Sequence, residues 1–75
     1  MLEPVQIRMA RAALGWSVRE LAKASHLAAN TVSRFEVGRD AMVETVRRLE
    51  KALEKAGVIF IPRDQEGGPG VRLKR

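Results

Sequence analysis

The stretch SVRELAKASHLAANTVSRFEVG, Ser17 to Gly38, decides how this chain is read. Ser17 and Glu20 have the S-x-x-E spacing of a capping box, in which each side chain satisfies a backbone donor left open by the other's turn. Trp16 stands just before the cap, where it can staple onto Leu21. Leu21, Ala22 and Ser25 continue one inner face, and His26 begins a turn anchored by Leu27. A second short helix is predicted from Ala29 to Glu36, with Val32 and Phe35 inward and Thr31, Ser33 and Arg34 pointing elsewhere. Gly38 is a natural helix stop. Two short amphipathic helices joined by a turn, the second with a polar outer face, make a helix-turn-helix layout.

Upstream, residues 4–14 read as a helix. Pro4 suits a first helical position, where no backbone donor is needed. Ile7, Ala10 and Leu14 fall on one face, flanked by Arg8 and Arg11, and Gly15 ends the run. Downstream, a fourth helix is expected from Asp40 or Ala41, with Asp40 as its cap and Glu44 near its positive end. Val46, Leu49, Leu53 and Ala56 supply its buried stripe. Arg47, Arg48, Lys51 and Lys55 read as a solvated face. Gly57 closes the helix. The period then changes: VIFI, Val58 to Ile61, is β-branched and aromatic, so a strand is expected. RDQEGGPG is a loop, and VRLKR alternates Val71 and Leu73 against Arg72 and Lys74.

A chain of 75 residues makes one small domain with a modest core. It has no cysteine, so disulfides and thiolate metal sites are excluded. One histidine cannot assemble a metal site by itself, and no metal or cofactor is expected. No apolar run is long enough to span a membrane, and MLEPVQIRMAR lacks the layout of a signal peptide. A cytoplasmic, nucleoid-associated protein is therefore expected. The net charge is +5 and the pI about 10.8, a balance that favours an anionic partner, nucleic acid first. Catalysis has little to stand on: there is no Tyr, no paired carboxylates in an evident pocket, and GGPG lacks the helix and Lys-Ser/Thr of a phosphate loop. No enzyme is expected.

In combination, R…LGWS…ELAKAS…TVSRFEVG…ETVRRLEKAL resembles the lambda-repressor-like Cro/repressor helix-turn-helix family, the XRE class, over roughly residues 4–57. The resemblance implies a mainly α, compact domain of four to five helices, here with a short C-terminal β-strand or hairpin. It places residues 1–57 in the DNA-binding domain and leaves 58–75 as a strand or hairpin with a basic tail. Carried over position by position, it puts Ala29, Asn30, Ser33 and Arg34 toward the major groove and Thr31 near the DNA backbone. Arg39 falls in a phosphate-contact loop. Arg11 and Glu36 match a pair that bridges the first and third helices. Three positions depart from the family's pattern: Val18 stands where Gln is common, His26 where Gly is common, and Ala28 where Ser or Thr would cap the recognition helix.

Chemistry gives these positions separate tasks. Arg34 can bond guanine O6 and N7 together, and Asn30 can bond adenine N6 and N7. Ala29 offers a methyl group to thymine, while Ser33 bonds a base or a phosphate. Arg8, Arg19, Lys23 and Arg39 are candidates for phosphate contacts that set the register, and Arg72, Lys74 and Arg75 are basic enough to join them. One domain covers few base pairs, so a homodimer on a palindromic operator is expected, with half-sites about 34–36 Å apart. Val58, Ile59, Phe60, Ile61, Val71 and Leu73 are the expected dimer surface, because VIFI follows a domain already complete without it. The expected function is a sequence-specific double-stranded DNA-binding transcriptional regulator, most simply a repressor. The alternatives are a protein-interaction module, such as an antitoxin or adaptor, and non-specific coating of DNA or RNA.

Overall fold

The computed structural model describes residues 2–74, and Arg75 of the basic tail lies outside them. The described residues form α1 (Pro4–Leu14), α2 (Val18–Ser25), α3 (Ala29–Glu36), α4 (Val43–Lys55), β1 (Val58–Ile61) and β2 (Gly70–Leu73). The chain is thus mainly helical and ends in a two-stranded antiparallel hairpin.

The first three helices stop by the same device. At the end of α1, Trp16 N–H bonds the Arg11 carbonyl and Gly15 N–H the Ala12 carbonyl. Leu27 and His26 repeat the pattern on Ala22 and Lys23, and Arg39 and Gly38 repeat it on Arg34 and Phe35. These paired reversals need a left-handed residue at the turn. Gly15, His26 and Gly38 provide it, and His26, at φ 59°, is the one that is not glycine. The turn between α2 and α3 is therefore built on a residue that carries a side chain at some conformational cost.

Packing follows the apolar stripes. Ile7 and Ala10 of α1, Leu21 and Ala22 of α2, Val32 and Phe35 of α3, and Val46, Leu49 and Leu53 of α4 close one core. Each fully buried Leu or Ile contributes about 1.5–3 kcal/mol through removal from water. Trp16 packs at the edge of this core, half-buried. α2 packs against both α3 and α4, and α1 reaches α3.

Two expectations change here. α4 starts at Val43 behind a Met42 cap with no side-chain bond, not near Asp40 or Ala41. Ala41 tucks against the core, so residues 39–41 are used in crossing from α3 before the helix begins. The hairpin, in turn, is part of the helical core. β1 pairs with β2 as Val58↔Leu73, Ile59↔Arg72, Phe60↔Val71 and Ile61↔Gly70. Opposite residues share a face. Val58, 2% exposed, enters the core, with Phe60 and Val71 packed against it.

Gln6 fastens the hairpin to α1. It is 3% exposed, and its Nε2 donates to the carbonyls of Ile61 (3.0 Å) and Gly70 (3.1 Å). Its Oε1 accepts from Glu3 N–H at 2.9 Å. Outside this clasp, Arg63 grips Glu3 with two bonds of 2.8 Å. That bond and the adjacent positive charge hold the Glu3 carboxyl below its ordinary pKa and raise that of Arg63.

Candidate nucleic-acid interface

α3 is eight residues long, and one side of it is fully committed. Val32, Phe35 and Glu36 are buried, which turns the opposite side to solvent. Asn30, Ser33 and Arg34 are exposed there, at the i, i+3, i+4 spacing of a single helical stripe. Val37, the next position on that stripe, is 73% exposed. Nothing in the sequence reading singled out Val37; its i+7 spacing from Asn30 was the available signal.

The buried side of α3 is fixed by charge as well as packing. Arg11 Nε and Nη2 bond Glu36 Oε2 and Oε1 at 2.6 and 2.9 Å, and Arg11 Nη1 donates to the Trp16 carbonyl at 3.0 Å. Glu36 is 5% exposed, so its charge is compensated by the guanidinium. The bond to Glu36 raises the Arg11 pKa, which keeps the cation charged throughout the ordinary pH range. Arg8 donates to the Glu36 backbone carbonyl at the last turn of α3. One cation of α1 thus holds the side chain of Glu36 and a second holds its carbonyl.

At the other end, Ala28 occupies the cap of α3 with extended φ/ψ of −72° and 146° but no side-chain bond. The front of α2 has the contrasting arrangement: Ser17 Oγ accepts from Glu20 N–H at 3.1 Å, and Glu20 Oε1 accepts from Ser17 N–H at 2.7 Å. The turn is braced from α4 by Arg48, whose Nη1 donates to the His26 carbonyl at 3.3 Å.

The remaining sequence-predicted residues fall as follows. Ala29 is half-buried and packs against the core, so its methyl group is only partly free for a base. Thr31 is half-buried and lines a shallow cleft with Arg34, Asp40, Ala41, Met42 and Thr45. Arg8, Arg19, Lys23 and Arg39 are all exposed. Met42 and Val43 at the front of α4 are exposed apolar residues that the sequence reading did not assign. On the hairpin, Ile59 and Ile61 are 40% exposed and Leu73 is 42% exposed. Val58 is corrected: its side chain is spent inside the protomer and has no surface for a second copy. Phe60 and Val71 are half-buried on the same inner face.

A short helix clamped on its inner side, polar on its outer side and joined to a preceding capped helix by a tight turn defines a helix-turn-helix protein. The sequence model of the helix-turn-helix family matches residues 7–58. The chain belongs to that family, in its lambda-repressor-like XRE class, a family of DNA-binding transcriptional regulators. No individual curated protein matches the chain at a significant level. Among the described residues, no helix is long and apolar enough to cross a membrane.

Proposed function

We propose that this protein is a sequence-specific regulator that binds double-stranded DNA as a homodimer and represses by occupying a promoter. The observation that carries the reading is the exposed stripe Asn30–Ser33–Arg34 on a helix whose opposite face is locked by Val32, Phe35 and the Arg11–Glu36 pair. α3 enters the major groove. Arg34 bonds a guanine through both donors of its fork, and Asn30 bonds an adenine. Ser33 bonds a base or phosphate, and the Ala29 methyl group lies at the margin. Arg19, Lys23, Thr31 and Arg39 contact phosphates and fix the register, and Arg8, on α1 and bonded to the Glu36 carbonyl, adds positive charge beside the end of α3.

The second copy sits on the outer face of the hairpin. Ile59 and Ile61 are its apolar part, and Leu73, paired with Val58 on the opposite face, adds exposed apolar surface at the end of the hairpin. Phe60 and Val71 support that face from within, and Val58 belongs to the protomer core. A palindromic operator follows from such a two-fold dimer, with half-sites about one helical turn apart.

Selection of binding sites from random duplex DNA tests this. A palindromic consensus supports both specificity and two-fold symmetry. Recovery of no enriched sequence, with affinity falling steeply in salt, leaves non-specific coating in its place.

A further inference from the structure

α4 carries charges of both signs, Glu44, Glu50 and Glu54 among Arg47, Arg48, Lys51 and Lys55, and its cations gather where it meets α2. Glu50 lies with Leu2, Gln6, Phe60 and Pro62 on the side facing the hairpin. On the other side, Arg48, Lys51 and Lys55 follow one another at i, i+3 and i+7, along one flank. That flank meets the end of α2. Between them runs an open groove lined by Ala24, Ser25, His26, Arg48, Ala52 and the two lysines, with no carboxylate among the described residues of its wall. Its floor is small: Ser25 is buried, with its hydroxyl bonded back to the Leu21 carbonyl at 2.7 Å, and Ala24 and Ala52 add only methyl groups.

The cations are available. Neither Lys51 nor Lys55 forms an ion pair among the described residues. Arg48 makes an exposed 3.4 Å contact with Glu44 and is steadied by the His26 carbonyl. The groove is also distinct from the DNA-reading stripe: its lining comes from α2, His26 and α4, and includes none of Asn30, Ser33 and Arg34. A methyl-floored trough with a cationic rim complements a segment that presents carboxylates at its edges and modest apolar side chains beneath.

We infer that the α2–α4 groove is a docking site for an acidic amphipathic segment of a partner protein, usable while α3 occupies DNA. The occupant is a protein segment and not nucleic acid: a phosphate backbone uses the rim but leaves the methyl floor unfilled.

The test uses the full chain and a fluorescein-labelled synthetic helix with Glu on its polar face and Leu on its apolar face. A scrambled peptide of the same composition is the reference. Fluorescence anisotropy is expected to show tighter binding of the amphipathic peptide than of the scrambled one. Two-dimensional amide spectra are expected to shift at Ala24, His26, Lys51, Ala52 and Lys55. The triple variant Arg48→Gln, Lys51→Gln, Lys55→Gln is expected to weaken binding about tenfold, the combined effect of three exposed charge contacts. The equally discharged Arg47→Gln, Arg72→Gln, Lys74→Gln is expected to retain it. Lys51→Gln, Lys55→Gln, which leaves the Arg48 brace intact, guards against a folding artefact and is expected to show an intermediate loss. Equal losses in both triple variants, or equal binding of the scrambled peptide, overturn the inference as mere charge attraction. Displacement of the peptide by duplex DNA overturns it in favour of a phosphate-binding flank.

Discussion

At the scale of single residues, the molecule turns on a few side chains with opposite fates. Arg34 and Asn30 are exposed and make no side-chain bond among the described residues; Arg11 and Glu36 are bound to each other. Glu36→Ala leaves the Arg11 guanidinium, 23% exposed, without its carboxylate. Loss of one partner of a fully buried pair costs about 3–5 kcal/mol. Partial exposure of Arg11 reduces that, and a loss of about 2–3 kcal/mol in chemical denaturation is expected. In a domain of this size, that is a large part of the total. The opposite change is available at Ala28. Its backbone already has the extended conformation of a cap, and a hydroxyl there can accept one open N–H of α3. Ala28→Ser is expected to stabilise by about 1 kcal/mol and to raise Tm by about 4–8 °C in a scanning experiment.

At the scale of elements, the junction between α1 and the hairpin is where sequence and structure parted most. The helices were legible because their apolar spacing and stop residues are local signals: Ser17 with Glu20, then Gly15 and Gly38 at the ends. The polar stripe of α3 was legible for the same reason, since Val32 and Phe35 fix which side is left over. Gln6 carried no such signal. Its partners, the carbonyls of Ile61 and Gly70, lie 55 and 64 residues away along the chain. The start of α4 was misplaced because Asp40 has the chemistry of a cap, while the packing of Ala41 moves the helix start past it. Gln6→Leu leaves two carbonyls without their donor, at a cost of about 1–3 kcal/mol. Hydrogen exchange is expected to show the loss first in the hairpin amides, ahead of those in α2 and α3.

The Glu3–Arg63 clasp gives the same junction a pH dependence. The folded Glu3 pKa lies below its unfolded value, so the stabilisation is fully present above the unfolded value. It fades as pH falls through the lowered folded value. Both groups lie at the surface, so added salt weakens the clasp too. An acid titration of hairpin exchange rates is expected to show this component in the parent and to lack it in Glu3→Gln.

At the scale of the whole molecule, the shared core changes what dimerisation can mean. With Val58 in the protomer core and Gln6 bonded across to the strands, removing the chain after Gly57 disrupts folding as well as any interface. The cleaner variant is Ile59→Lys with Ile61→Lys, which changes the exposed face alone. Light scattering after size exclusion is expected to give a dimer for the parent and a monomer of unchanged helicity for the variant. A persisting dimer moves the interface elsewhere, with exposed Met42 and Val43 next to be tested.

The central claim is that the outer stripe of α3 reads bases, and Arg34 is its sharpest point. Parallel site selection on the parent and on Arg34→Ala, from the same random duplex pool, measures this directly. The expected result is a consensus that loses its preference for guanine at one position in each half-site and keeps the rest, with discrimination there falling by about 1–3 kcal/mol. An unchanged consensus with affinity lowered uniformly across all sequences would place Arg34 on phosphate and contradict the claim.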